Sequence, residues 1–122
     1  MAKAQVIYYR GDTIDGKINL RKVTTCDGVT VYSAFPLLVT DTVEVIFPGE
    51  TASVILSTAN VGEITIEDLA ASTFIYKGAP AKSDLLKLGT NQAIDVVVTT
   101  IGGDVTTFQY DQILTVKDRA NP

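Results

Sequence analysis

The sequence predicts an all-β fold, an antiparallel β-sandwich of about seven to nine strands, and three observations support it. Val, Ile and Thr make up 41 of the 122 residues, and their branched side chains fit a pleated sheet better than a helix. Short runs of alternating apolar and polar residues recur between turn residues such as Gly, Asp and Pro. A chain of 122 residues also fits one core and has no room for a second. We therefore expect residues 1–122 to form a single domain, with residues 117–122 as a frayed tail.

The first half of the chain contains short strand candidates separated by turns. Ile14, Ile18 and Leu20 are evenly spaced in the second candidate, so they can share one buried face. Asp15-Gly16 in the same run predicts a turn or a bulge, and Asp27-Gly28 predicts a turn more clearly. The candidate strands are Gln5–Tyr9, Thr13–Val23, Val29–Tyr32, Thr42–Phe47 and Thr51–Ser57.

The second half gives the strongest fold signal. Gly102-Gly103 lies between two β runs and predicts a hairpin, and the run after it is long enough to bend near Tyr110-Asp111. The order of elements indicates the second half of an immunoglobulin-like sandwich, with a short helix between its two sheets. The candidate strands are Gly62–Asp68, Ser72–Tyr76, Ile94–Thr99 and Val105–Val116.

One helical turn is predicted near residues 83–88. Ser83 suits the N-cap, and Gly89 suits the position just after the helix. Leu85 and Leu88 are three residues apart, so both can face the core. Packing has to stabilise so short a helix.

Composition argues against several classes of function. The chain has no histidine, no tryptophan and one cysteine, Cys26, so it lacks a His-activated nucleophile and an internal disulfide. We expect no enzyme activity, no cofactor and no metal. A net charge of −4 disfavours nucleic acid as a partner. No apolar run is long enough for a membrane span and the first residues contain no signal region, so we expect synthesis in a cytoplasm without export.

Two local motifs have a chemical interpretation and a simpler structural one. Glu63, Glu67 and Asp68 cluster near one strand end and could hold Ca²⁺, but a solvated acidic edge is the favoured interpretation. Arg10-Gly11-Asp12 spells an adhesion tripeptide, but it follows a predicted strand directly. We favour a strand-ending turn in which Gly11 has positive φ.

The candidate partner interface is Phe35, Leu37 and Leu38. They lie in Ala34–Val39, an apolar run that contains Pro36 and is therefore an irregular crossover or an edge strand. Exposed together, the three side chains would form an apolar patch of the kind that marks protein interfaces. Burial in the core is the competing interpretation for each of them.

A recurring order of turns and strands covers nearly the whole chain, at residues 10–13, 27–28, 42–47, 62–68, 85–89, 95–99, 103–105 and 114–116. This order resembles the N-terminal immunoglobulin-like domain of tailed-phage baseplate and tail-fibre (receptor-binding) proteins. In that family a longer C-terminal part forms the receptor-binding tip, and we expect no such shaft or tip in this chain.

The resemblance implies a non-enzymatic virion structural protein that docks on other virion proteins. It would serve as a tail, neck or baseplate adaptor or as a capsid decoration, with self-association into a homo-oligomer left open. The alternative is a stand-alone β-sandwich module that binds a carbohydrate or a cell-surface ligand, which would need an exposed Tyr or Phe platform.

Overall fold

Twelve strands and one short helix make up the part of the chain that the computed structural model describes, residues 5–35, 37–110 and 112–118. The predicted all-β class is confirmed. The strands are β1 Gln5–Tyr9, β2 Ile14–Asn19, β3 Arg21–Cys26, β4 Val29–Ala34, β5 Thr42–Phe47, β6 Val54–Ser57, β7 Ile64–Asp68, β8 Thr73–Gly78, β9 Gly89–Gln92, β10 Asp95–Thr99, β11 Val105–Gln109 and β12 Ile113–Lys117. The helix α1 is Pro80–Ser83.

These strands form four sheets. The largest has four strands in the order β11-β10-β5-β6, and two others have three strands each, in the orders β2-β8-β7 and β1-β12-β9. Strands β3 and β4 pair only with each other. All pairings are antiparallel except that of β1 with β12, which is parallel and departs from the purely antiparallel prediction. The immunoglobulin-like topology stays a prediction.

One core cluster joins the larger sheets, as expected of a sandwich. The four-stranded sheet alternates cleanly: in β5, Val43, Val45 and Phe47 are buried, while the residues between them are partly exposed. The predicted set comes from β2 and the residue after its end: Ile14, Ile18 and Leu20 are all 4% exposed or less. The other buried apolar residues of the cluster are Leu37, Val54, Leu56, Ile64, Phe74, Tyr76, Leu86, Ile94, Val96, Val98, Leu114 and Val116.

The strand count exceeds the predicted seven to nine because two predicted runs divide and one strand, β9, forms where no strand was predicted. The run Thr13–Val23 splits at Leu20, whose N–H donates to the Ser72 carbonyl, and the chain then leaves the β2-β8-β7 sheet. The run Val105–Val116 becomes β11 and β12, which join different sheets. Asp111, Pro36 and residues 119–122 of the predicted tail lie outside the described residues.

The predicted helical turn is misplaced. The helix begins three residues earlier, with Pro80 in its first turn, where a missing N–H costs nothing. Ser83 is its buried last residue rather than its N-cap. Leu85 and Leu88 are 60% and 38% exposed, while Leu86 between them is fully buried.

Backbone pairing explains why the helix ends so early. After α1 the chain runs beside residues 48–50: Gly49 bridges Leu86, and the Lys87 N–H donates to the Pro48 carbonyl. The Glu50 N–H donates to the Leu85 carbonyl. A longer helix would lose these hydrogen bonds.

Tyrosine hydroxyls cover the free edge of β2. The Tyr8 hydroxyl donates to the carbonyl of Asp15 at 2.8 Å, and the Tyr110 hydroxyl donates to the carbonyl of Lys17 at 3.2 Å. The Tyr76 hydroxyl is hydrogen-bonded to that of Tyr8. Burial raises the pKa of Tyr8 above its ordinary value and that of Tyr76 to about 12, so both stay protonated at neutral pH.

Gly16 lies within β2, opposite Tyr76, and is neither a turn nor a bulge. A Cβ atom at Gly16 would lie 2.4 Å from the Tyr76 hydroxyl oxygen. Glycine is therefore needed here for space, so that the tyrosine ring can cross the strand.

An ion pair covers the free edge of β6. Lys82 pairs with Glu63 and donates to the Ile55 carbonyl at 2.8 Å, while Glu63 accepts from the Ser57 N–H at 3.1 Å. Glu63 also accepts from the Asn60 side chain. Burial alone would raise the pKa of the Glu63 carboxyl, but these hydrogen bonds outweigh it and the pKa is lowered.

Candidate functional site

The best candidate for an interaction site is the hairpin of β3 and β4, which we call the hairpin arm, residues 21–34. Its six residue pairs run from Arg21 opposite Ala34 to Cys26 opposite Val29. The two-residue turn has φ of 53° at Asp27 and 78° at Gly28. Positive φ at both positions belongs to a type I′ turn, whose twist matches that of the strands. The predicted turn at this dipeptide is therefore confirmed.

Both faces of the outer half of the hairpin arm are exposed. Successive strand residues point to opposite faces, yet every residue from Thr25 to Val31 is exposed. Val29 is 61% exposed and Val31 is 52% exposed. A strand that packed on the sandwich would bury alternate residues, so this part of the hairpin projects away from the body.

The edges of the hairpin arm are also open. Strand β3 pairs with β4 and with no other described strand, and the same is true of β4. Among the described residues, no hydrogen bond from the body reaches the backbone between Thr25 and Val31. A two-stranded ribbon is marginally stable by itself in water, so the exposed part of the hairpin arm, Thr25–Val31, is suited to adding a strand or a face to a partner.

The three predicted interface residues lie just after the hairpin arm and differ in their burial. Phe35 is partly buried and packs edge-on against Phe108, with ring centroids 4.9 Å apart. Leu37 is 2% exposed, and its N–H donates to the Leu69 carbonyl. Leu38 is 61% exposed, and Asp41 caps its N–H. The predicted three-residue exposed patch is therefore wrong: the irregular crossover buries Leu37, holds Phe35 against the core and leaves Leu38 in solvent.

The acidic residues considered for Ca²⁺ each have another partner. Glu63 is held by Lys82, as described above, and Glu67 pairs with Lys17 at 3.0 Å. Asp68 accepts from the Ala71 N–H at 3.0 Å. In the described part of the chain, no group of three or more His, Cys, Asp or Glu side chains is placed to hold a metal ion.

The Arg10-Gly11-Asp12 tripeptide forms the strand-ending turn that the sequence predicts. Gly11 has φ of 89°, and its N–H donates to the Ser83 hydroxyl. The Asp12 N–H donates back to the Tyr9 carbonyl. Arg10 lies 3.6 Å from both Glu50 and Asp118. These contacts give Arg10 and Gly11 a structural role at the end of β1.

The aromatic side chains mostly pack inward. Tyr8 and Tyr76 contact the fully buried Phe47 ring, with centroids 6.3 and 5.7 Å away. Tyr9, at 41%, is the one aromatic among the side chains described that is exposed by more than a third. These rings therefore do not form the platform that the carbohydrate-binding alternative requires.

Sequence reasoning identified the turn of the hairpin arm but missed its exposure. The available signal was the lack of a clean alternation: Thr and Val occupy both alternating sets around Asp27-Gly28. Such a pattern fits a strand covered on both faces as well as one covered on neither. Only the tertiary structure distinguishes these two cases.

Comparison with known proteins gives no family assignment. No protein-family model matches the chain, and no curated protein matches it. No helix among the described residues is long and apolar enough to cross a bilayer.

Proposed function

We propose that the chain is a non-enzymatic structural protein of a phage virion, which docks on other virion proteins through its hairpin arm. The observation that carries the proposal is the exposure of Thr25–Val31 on both faces and along both edges. Its apolar residues lower the cost of removing this surface from water, and burying them favours association.

The resemblance of the turn and strand order to phage baseplate and tail-fibre domains supports the virion as the setting. Docking would use either the open edges, by main-chain hydrogen bonds, or the face that carries Val29 and Val31. A hairpin of this size covers little area, so repeated copies on a symmetric particle would add the weak contacts together.

Co-sedimentation tests the proposal. The chain would be expressed with the products of the neighbouring genes, and assembled particles would be separated on a density gradient. We expect the chain in the particle fraction, and a variant with Val29→Ser and Val31→Ser reduced there by about tenfold or more.

Val61→Ser is the matched control, because Val61 lies fully exposed in the turn between β6 and β7. It should sediment with particles as the parent chain does. A chain that never enters the particle fraction, or one whose incorporation ignores the hairpin arm, contradicts the proposal.

A further inference from the structure

Two aspartate–glycine dipeptides occur in the chain, and their backbones are held very differently. One, Asp15-Gly16, lies within β2, and the other, Asp27-Gly28, forms the turn of the hairpin arm. Both aspartates are exposed, so water reaches both side chains. The chain therefore contains a matched pair of sites that share one dipeptide and differ in how firmly the surrounding backbone is fixed.

An aspartate that precedes a glycine can modify itself without an oxidant, a metal or a second protein. The main-chain nitrogen of the glycine loses its proton and attacks the side-chain carboxyl carbon of the aspartate. A new N–C bond replaces a C–O bond, the hydroxyl and the proton leave as water, and a cyclic succinimide results. Glycine favours this step because it has no Cβ to obstruct the approach.

Water then reopens the succinimide ring in one of two ways. Attack on the carbonyl of the side chain restores aspartate. Attack on the carbonyl of the main chain breaks the original peptide bond and gives isoaspartate, in which the main chain continues through the former side chain. The net reaction is an isomerisation, since one water molecule leaves and another enters.

Backbone rotation controls this reaction, because the nitrogen and the carboxyl carbon must come into close contact. They meet only when the peptide plane after the aspartate turns toward the side chain. A peptide held in a sheet ladder cannot turn in this way without breaking its hydrogen bonds. The free energy of local opening therefore decides which of the two sites reacts.

The peptide bond between Asp15 and Gly16 is held on both sides. Its carbonyl, on Asp15, accepts the Tyr8 hydroxyl at 2.8 Å at the free edge of β2. The carbonyl and the N–H of a trans peptide point in opposite directions, so the Gly16 N–H points toward β8, where Gly16 lies opposite Tyr76. The β2–β8 pairing thus holds the reacting nitrogen of this site in place.

The peptide bond between Asp27 and Gly28 lacks these restraints. The Gly28 N–H donates to no residue in the described part of the chain, and a Cβ built on Gly28 would meet nothing within 4 Å. The Asp27 carboxylate has a weak contact with the Cys26 thiol, 3.9 Å away. Since every residue of Thr25–Val31 is exposed, this end of the ribbon opens at low free energy and can reach the reactive geometry.

From this contrast we infer that Asp27-Gly28 is a self-modification site, which converts to isoaspartate in the folded chain while Asp15-Gly16 is protected. The conversion inserts one further atom into the main chain of the turn. The strand register of a hairpin depends on the length of its turn, and a two-residue type I′ turn has no place for the extra atom. The tip of the hairpin arm therefore loses its type I′ geometry when the site converts.

The consequence for docking, which rests on the proposed function, is that the hairpin arm is competent for a limited time. A partner that binds the intact turn stabilises the closed form and slows the conversion. Chains that assemble early keep the type I′ turn, whereas chains that wait unassembled accumulate the altered turn and dock less well.

Peptide mapping of the full chain tests the modification. Folded chain and chain in denaturing urea are aged at neutral pH and digested with a proteinase that cleaves before aspartate but not before isoaspartate. Conversion of Asp27 leaves residues 15–26 joined to residues 27–40. Conversion of Asp15 leaves residues 12–14 joined to residues 15–26.

Asp15 is the internal control for Asp27. In the folded chain we expect Asp27 to convert faster than Asp15 by about tenfold or more. In urea, where neither backbone is held, the two should convert at similar rates. Equal rates at the two sites in the folded chain overturn the inference, as does an Asp27 that converts in urea and stays unchanged in the folded chain.

Ageing before the co-sedimentation assay tests the consequence for docking. Particle entry of the parent chain should fall with age in proportion to the converted fraction of Asp27. Asp27→Gly is the matched variant, because Gly-Gly also suits a type I′ turn but has no carboxyl to react. Its particle entry, compared with its own fresh sample, should not fall with age.

The modification and the proposed function fail separately. Conversion of Asp27 without any loss of particle entry, or an equal loss in Asp27→Gly, would overturn the effect on docking and leave the modification. Conversion in a chain that never enters particles would remove the proposed function alone.

Discussion

The body of the sandwich and the hairpin arm treat their exposed strand edges in opposite ways. Tyrosine hydroxyls cover the carbonyls at the edge of β2, and Lys82 with Glu63 covers the edge of β6. Nothing in the described structure covers the hairpin arm in that way. Both kinds of edge occur in one short chain. The open kind alone leaves backbone groups with which another strand could pair, in line with the docking role that we propose for the hairpin arm.

Truncating a core side chain should give the largest loss of unfolding free energy, and it tests the comparison between the body and the hairpin arm most simply. Phe74 is fully buried on β8, so Phe74→Ala should lower the free energy of unfolding by about 3–5 kcal/mol. Val31→Ala in the hairpin arm should change it by less than about 0.5 kcal/mol. Urea unfolding of both variants measures the difference. A loss at Val31 comparable to that at Phe74 would mean that the hairpin arm is packed.

A methyl group at Gly16 tests the covered edge of β2. The added Cβ would overlap the Tyr76 hydroxyl, so Gly16→Ala should cost about 1–3 kcal/mol as the ring is displaced. Gly102→Ala is the control, because its nearest neighbour to a new Cβ is 3.8 Å away. Thermal unfolding compares the two variants, and equal melting temperatures would show that the tyrosine does not need this space.

Removing the charge of Glu63 tests the covered edge of β6. Glu63→Gln loses charge-assisted hydrogen bonds and should cost about 1–2 kcal/mol at pH 7. Because the pKa of Glu63 is lowered in the folded state, its contribution is present above the unfolded value of about 4.3 and is lost as the pH falls through the folded value.

The difference in unfolding free energy between the parent and Glu63→Gln should therefore shrink below about pH 4. Glu44→Gln, whose carboxylate has no ion pair in the described structure, is the control and should change the free energy of unfolding by less than about 0.5 kcal/mol at pH 7. If this difference in unfolding free energy does not depend on pH, Glu63 stabilises the fold by packing and not by its charge.

The tyrosine pair gives the smallest effect, at alkaline pH. Tyr76→Phe removes one hydrogen bond and should cost about 1 kcal/mol near neutrality. The folded pKa of Tyr76, raised to about 12, lies above the unfolded value near 10, so its contribution is present below pH 10 and is lost as the pH rises toward 12. Denaturant unfolding at pH 8 to 11 measures this, with Tyr9→Phe as an exposed control. A parent chain that loses no more stability than Tyr76→Phe contradicts the assignment.

Local sequence patterns predicted what local chemistry controls. The alternation in Thr42–Phe47, the Asp27-Gly28 turn and the positive φ of Gly11 all follow from residue type and spacing. The splitting of Val105–Val116 did not, because the choice between two sheets depends on partners distant in sequence.

The predictions of the helix and of the exposed apolar patch were wrong for related reasons. Ser83 and Gly89 fit a helix locally, but pairing of the Leu86 backbone with Gly49 ended it. Leu37 and Leu38 are chemically alike and adjacent, yet one is buried and the other exposed. Neither burial nor the openness of the hairpin arm is encoded in nearby residues.

Amide hydrogen exchange tests the central claim most directly. The claim is that the strands of the body are protected in the free chain, whereas the hairpin arm, for which we propose a partner, is open to solvent. In the dilute free chain, we predict that the amides of Thr25–Val31 exchange far faster than those of β5 and β10, with protection appearing only on assembly. Protection of the hairpin arm equal to that of β5 in the free chain would contradict the account.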